Sequence, residues 1–355
     1  MAYIRDVGNN DVRSEGMSYG MMICVQLNKQ TDFDRLWKWA KTYMYNDRAG
    51  PGGDGIKNAR GYFSWQCKTD GSRIDNGVAP DGDIYFATAL LFASARWGNG
   101  TGIYNYGKEA RCLLYDMLRR NTTLDGYGKS AMFNTDNKMV VFSLWGGSAN
   151  FTDPSYHLPS FYEVWAREIE NGSGYWTEIW GSEVAAKADA TFWRNAAQAS
   201  RNFFPTTVNA TTGLGPDYAE FSGAANAGGS SHNHFEYDAW RIAMNIAMDY
   251  SWWEKDAWQV SHATTIQNFF NGKGITTYGD RWTLDGTQRG SDHSAGLVAC
   301  NAVASLASTA TSAGSFVTQL WNTAIPSGEW RYYNGCLYMM ALLHCSGNFK
   351  AYLSN

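Results

Sequence analysis

Apolar residues return at three- and four-residue steps along most of this chain, a spacing that places them on one face of a helix. Phe33, Leu36, Trp37, Ala40 and Tyr43 form one such stripe. The pattern predicts eleven helices, near 16–28, 32–45, 83–97, 104–119, 157–169, 184–203, 238–249, 254–270, 294–308, 314–323 and 332–346. Strand signals are sparse. Met139 to Trp145 is a short apolar run with β-branched members and reads as a strand inside a loop. Connections come in two lengths. The turn from Asn28 to Thr31 is tight, whereas 46–61, 66–82, 204–236 and 271–293 are long and rich in Gly, Asn and Asp. Long loops on a compact scaffold commonly carry function. Their alternation with tight turns predicts an all-α toroid of stacked hairpins, with the site on the long-loop rim. No linker or low-complexity stretch divides the chain, so residues 1–355 read as a single domain. Eleven helices fall one short of a closed double ring of six plus six.

Composition narrows the function classes. Hydrophobic residues make up 44% of the 355 positions, enough for a sizeable core. Charged residues are 17%, the net charge is −4, and no basic run occurs, which argues against a nucleic-acid partner. No stretch of about 18 apolar residues is present, so no membrane span is expected. The aromatic fraction is 15%, with 16 Trp and 21 Tyr, more than packing alone asks for. An indole or phenol ring with a polar tip suits the apolar face and polar rim of a sugar. The six cysteines form no C-x-x-C pair and several lie in helical runs, so they read as buried thiols. His232 and His234 have no Cys or third His nearby, and neither a metal nor another cofactor is expected.

Three acidic segments could carry chemistry. Glu15 sits in Asp11-Val12-Arg13-Ser14-Glu15-Gly16-Met17-Ser18-Tyr19-Gly20-Met21 at the start of a helix, where spacing alone suggests a capping acid. A helix N-terminus favours the ionised carboxylate, so a general acid there needs burial or a nearby anion to stay protonated. Ala79-Pro80-Asp81-Gly82-Asp83 offers that anion. Asp83 suits a capping role, and a Pro-Asp-Gly turn would hold Asp81 outside the helix. In Tyr237-Asp238-Ala239-Trp240-Arg241, Asp238 opens a helix and Arg241 follows three residues later on the same face. That pairing fits either a surface ion pair or a general base.

Together these segments resemble glycoside hydrolase family 8. The family's acid motif is matched by Glu15 to Met21, its central Asp motif by Ala79 to Trp97, and its base motif by Tyr237 to Arg241. The resemblance implies an (α/α)6 barrel with an open cleft and an inverting mechanism. It implies Glu15 as general acid, Asp238 as general base and Asp81 in the central subsite. Inversion requires the two carboxyls to stand roughly 6.5–9.5 Å apart with a water between base and sugar. Trp37 to Tyr43, Tyr62 to Gln66 and Asp153 to Pro159 resemble the xylan-active branch. On that likeness Trp65 is a stacking platform, Tyr156 or Tyr162 holds the attacking water, and Tyr19, Arg241 and His293 complete the substrate-binding set.

The substrate expected is xylan or a xylo-oligosaccharide. The exo-acting branch closes its cleft with a Leu-His-Pro element, and here the corresponding place reads Asp292-His293-Ser294. The missing Pro favours an open cleft and endo-xylanase action. A reducing-end xylose-releasing exo-oligoxylanase is the alternative, followed by a cellulase or lichenase. A non-catalytic glycan-binding protein is the reading from a different class. No signal peptide is visible at Met1, but secretion is expected for a polymer-degrading enzyme, with a cytoplasmic location if it trims oligosaccharides. The family places a further helix before its acid motif, so this chain is expected to lack that helix, and with it some stability or its monomeric state.

Overall fold

The computed structural model describes residues 1–46, 61–119 and 131–354. The loop expected at 46–61 lies almost wholly outside them. The chain is mostly helical, and each of the eleven periodic stretches contains a helix. It divides into two compact units. Unit 1 comprises Met1–Ala149, Phe161–Ala196 and Ala351–Asn355, and unit 2 comprises Asn150–Ser160 and Ala197–Lys350.

Unit 1 opens with strand β1 (Asp11–Arg13), which runs directly into helix α1 (Ser14–Gln26). Asn28, at a positive φ of 59°, breaks the helix and leads to α2 (Gln30–Trp39), which buries Phe33, Leu36, Trp37 and Trp39. A wider π turn carries α2 on through Ala40–Met44. Strands β2 (Gln66–Lys68) and β3 (Arg73–Asp75) join β1 in an antiparallel sheet of order β1-β2-β3, pairing Val12 with Cys67 and Arg13 with Gln66. Helix α3 (Pro80–Trp97) starts with Pro at its first position, where no backbone N–H is missed; its residues from Pro80 to Ala93 are all buried. It is the axis of this unit, with α1 and α4 (Tyr106–Leu118) packed on it. The strand expected over Met139–Trp145 contracts to β5 (Met139–Val140), paired with β4 (Phe133–Asn134). The contact goes one step further, with the Val141 N–H donating to the Met132 carbonyl at 3.0 Å. Helix α5 (Pro159–Asn171) lies mostly in unit 1, followed by a short α6 (Ser173–Tyr175) and by α7 (Glu183–Thr207), which is shared with unit 2.

Unit 2 holds the two-residue pair β6 (Phe151–Thr152) and β7 (Ala219–Glu220). Its helices are α8 (Trp240–Trp253), α9 (Trp258–Gly272), α10 (Ala295–Ala304), α11 (Ala313–Asn322) and α12 (Arg331–Cys345). Every residue of α10 except the first is buried, and α8, α9, α11 and α12 pack around it. Buried Arg201 and Asp249 meet at 2.8 Å, each charge compensated by the other. Cys67 and Cys300 are buried thiols pushed up to about 12, chiefly by burial, so these sulfurs pack rather than react. Among the described residues no helix is long and apolar enough to cross a membrane, and no three His, Cys, Asp or Glu side chains gather as a metal site would require.

Candidate active site

In unit 1 the sheet and two helix starts bring together three of the expected residues. Glu15 stands half-buried in the first turn of α1. The residue before it, Ser14, donates its backbone N–H to the Trp65 carbonyl at 2.9 Å, which ties the helix start to the segment leading into β2. Trp65 is half-exposed, and the Arg13 guanidinium lies 5.6 Å from its ring centroid. Gly82 is needed where α3 meets α1. A Cβ there would stand 2.5 Å from Ser14 Oγ and 3.0 Å from the Ser14 backbone carbon. Only the bare glycine lets the two helix starts approach this closely, and so places the Asp81 and Glu15 segments side by side.

The carboxylates around that contact differ from expectation. The helix begins at Pro80, so Asp81 lies inside its first turn rather than outside it, and no side chain caps α3. Pro80 fixes φ and starts the helix one residue before Asp81, which removes the turn that the sequence suggested. Asp81 is buried, and its Oδ1 accepts the Gly82 N–H at 2.8 Å. Asp83 accepts the Phe63 N–H at 3.2 Å instead of capping its own helix. Tyr19 is buried and meets Tyr85 edge-on, with centroids 4.6 Å apart. Tyr162 is buried in an aromatic cluster with Phe133, Trp165 and Trp193.

Unit 2 gathers a second group. Asp238 lies two residues before α8, half-buried, and its Oδ1 accepts from Arg241 Nη2 at 2.8 Å, the ion pair that the spacing predicted. The same Nη2 donates to Ser155 Oγ at 2.9 Å. Asn245 Nδ2, one helical turn further, donates to the Ser155 carbonyl at 2.7 Å. Two successive turns of α8 therefore grip the short 3-10 turn Pro154–Tyr156 and place Tyr156, whose ring centroid lies 5.8 Å from the Arg241 guanidinium. His293 sits elsewhere in this unit. Its Nδ1 faces the Tyr278 carbonyl at 2.9 Å and its Nε2 faces Gln319 at 3.3 Å.

Two carboxyls that sequence reasoning passed over complete the group. Asp153 is fully buried and accepts the Ser155 N–H at 2.7 Å. Burial, and then the charge of Asp238, hold it well above the usual carboxylate range, against the pull of Arg241. Asp217 is also buried. Its Oδ1 accepts the Ala239 N–H at 3.1 Å, and its Oδ2 faces His232 Nδ1 at 3.3 Å. Burial pushes Asp217 up to about 6, the hydrogen bond to His232 opposing it. The same bond raises His232. Asp153 and Asp217 left a faint signal, an acid beside a Pro, which spacing alone cannot separate from a turn residue.

Residues 4–347 match the model of "Glycosyl hydrolases family 8". Over 99% of its length the chain is 41% identical to the reducing-end xylose-releasing exo-oligoxylanase Rex8A of Paenibacillus barcinonensis, covering 85% of that protein. It is 40% identical to the enzyme of the same description from Halalkalibacterium halodurans, of which it covers 83%. Among solved structures, a GH8 xylanase of Teredinibacter turnerae, a catalytic mutant in complex with xylohexaose, superposes with a TM-score of 0.88 at 42% identity, over 99% of this chain and 86% of that one. The all-α, (α/α)6 class is the fold class of these neighbours.

Proposed function

The chain belongs to glycosyl hydrolase family 8, and from that premise we propose that it cleaves β-1,4-linked xylan or xylo-oligosaccharides with inversion of the anomeric centre. Residues 1–355 then form a single catalytic domain. Glu15 is the general acid, Asp238 the general base, and Asp81 a central-subsite ligand. Trp65 supplies a stacking face, Tyr156 rather than the fully buried Tyr162 holds the attacking water, and Tyr19, Arg241 and His293 bind substrate.

The observation that carries this reading is the Asp238–Arg241 contact of 2.8 Å at the start of α8. It gives the carboxylate a fixed cationic partner and leaves it half-exposed, the setting a general base needs when it must take a proton from water. Xylan as substrate class is supported by relatives about 40% identical over nearly the whole chain.

Those relatives also support reducing-end release of xylose better than the endo action that the Asp292-His293-Ser294 segment suggests. Endo action stands as the second reading, on a specific observation. His293 is held by Tyr278 and Gln319, and no Pro stiffens the residues after it.

Xylohexaose decides between the two. Free xylose dominating at early times, with stepwise shortening, is the expected result for exo action. An early mixture of xylobiose, xylotriose and xylotetraose would establish endo action instead. Proton NMR of the same reaction should show the α-anomer first, and a β-anomer would overturn inversion. Carboxymethylcellulose cleaved faster than xylan would overturn the substrate class. Glu15→Gln should lower kcat by about 10²-fold or more, the usual contribution of general acid–base catalysis. A Glu15→Ala protein hydrolysing as fast as the parent would point to the non-catalytic glycan-binding reading.

A further inference from the structure

We propose that the pair of buried Asp217 and half-exposed His232 is a positioning device for the base: Asp217 grips the backbone immediately after Asp238, and His232 holds Asp217 in place. The proposal rests on the reading of Asp238 as general base.

The geometry is specific. Asp217 Oδ1 accepts the N–H of Ala239, the residue that follows Asp238, at 3.1 Å. The stretch leading to the base is stitched to Asp217 as well. The Asp217 N–H donates to the His234 carbonyl at 2.9 Å, and the Tyr218 N–H donates to the His232 carbonyl at 2.9 Å. His232 lies flat on Tyr218, with ring centroids 4.1 Å apart and planes 20° apart, which points its Nδ1 at Asp217 Oδ2. Gly228 gives the turn before it room, since a Cβ there would stand 2.6 Å from the Tyr218 ring. Asp238 is thus held from two sides, by Arg241 at its carboxylate and by Asp217 at its backbone.

A backbone staple alone could be made by a neutral acceptor. The carboxylate adds a charge close to the base, and a half-exposed histidine with one nitrogen on that carboxylate makes the charge depend on pH. The titratable and charged groups around Asp217 are His232 and Tyr218 from its own hairpin, Asp238 from the start of α8, and Asp153 from the turn before α5. Glu236 also faces His232 and is itself paired with Arg289 at 3.2 Å. As pH falls through about 6, Asp217 takes a proton, and its contacts with Ala239 and His232 lose the charge of the acceptor. The grip on the Ala239 N–H is therefore weaker once Asp217 is neutral.

The test uses the full chain with Asp217→Asn, His232→Phe and Asp238→Asn. Asn keeps an acceptor for Ala239, and Phe keeps the stack on Tyr218, so both variants are expected to fold with near-parent thermal unfolding. Each should lower kcat roughly tenfold with KM changed less than about twofold, because a small misplacement of the base costs turnover and not binding. The parent's kcat should show an added fall of roughly tenfold as pH drops through about 6, and Asp217→Asn should lack it. Unchanged kcat in both Asp217→Asn and His232→Phe, with Asp238→Asn inactive, would overturn the positioning role. An active Asp238→Asn protein would instead overturn the reading of Asp238 as base.

Discussion

Asp153 carries a fully buried carboxyl whose Oδ2 meets no hydrogen-bonding partner among the described residues. An ionised group there has no solvent and faces the charge of Asp238, so the protonated form is favoured and Asp153 is held well above its ordinary value of 3.8. The consequence for stability has a definite sign. Above 3.8 the unfolded chain releases this proton while the folded protein retains it, so the folded state binds more protons and stability falls as pH rises, until the folded group itself ionises. Asn at this position keeps the acceptor for Ser155 and cannot ionise. The difference in Tm between Asp153→Asn and the parent should therefore move in the variant's favour as pH is raised from about 4 towards 7. A constant difference across that range would show that Asp153 is not a protonated acid in the folded state. The same burial explains why Asp153 was hard to read from sequence. An Asp before a Pro reads as a turn residue, and its distinguishing feature is what α8 packs against it from about 90 residues away.

At the scale of elements, the close approach of α1 and α3 depends on Gly82. In an open helix Gly→Ala stabilises by about 1 kcal/mol. Here the new Cβ would collide with the Ser14 backbone, and overpacking of this kind costs about 1–3 kcal/mol. Gly82→Ala should therefore lower stability in urea unfolding, and it should lower kcat as well, since the displaced segment begins one residue before Glu15. A stabilised variant would mean that the two helix starts do not touch as described. The helices themselves were legible because burial on one face writes a period into the sequence, as in α2 with Phe33, Leu36 and Trp37. The sheet β1-β2-β3 was not. Its strands are three residues each, too short to show alternation, and β1 pairs with a partner more than 50 positions away. Of the site, the Asp238–Arg241 pair was legible because its members stand three residues apart, across the turn that leads into α8. The placement of Asp81 was not, because it turns on where Pro80 starts the helix.

At the scale of the whole chain, neither compact unit is one continuous stretch. Unit 1 is left after Ala149, re-entered at Phe161, left again after Ala196 and re-entered at Ala351. Its last piece is anchored by particular contacts. Arg96 Nη1 donates to Tyr352 Oη at 2.7 Å and to the carbonyls of Val25 and Gln26 at 2.6 and 3.0 Å, so one guanidinium ties the ends of α1 and α3 to the chain end. The Tyr352 ring packs edge-on against Phe92 at 5.8 Å, and the Ser354 N–H donates to Glu168 at 2.6 Å. A unit closed by residues that follow the whole of the other unit in sequence cannot complete itself before that other unit has been made. Unfolding should then be a single transition, with calorimetric and van't Hoff enthalpies in agreement. Tyr352→Ala should lower stability by roughly 1–3 kcal/mol, from lost packing and the lost cation–π contact with Arg96, whose guanidinium lies 4.7 Å from the Tyr352 ring centroid. It should shift that one transition as a whole, so that activity and near-ultraviolet circular dichroism are lost together on heating. Two resolved transitions in the variant, with one unmoved from the parent, would show instead that the units unfold independently and that the returning segment serves only the first.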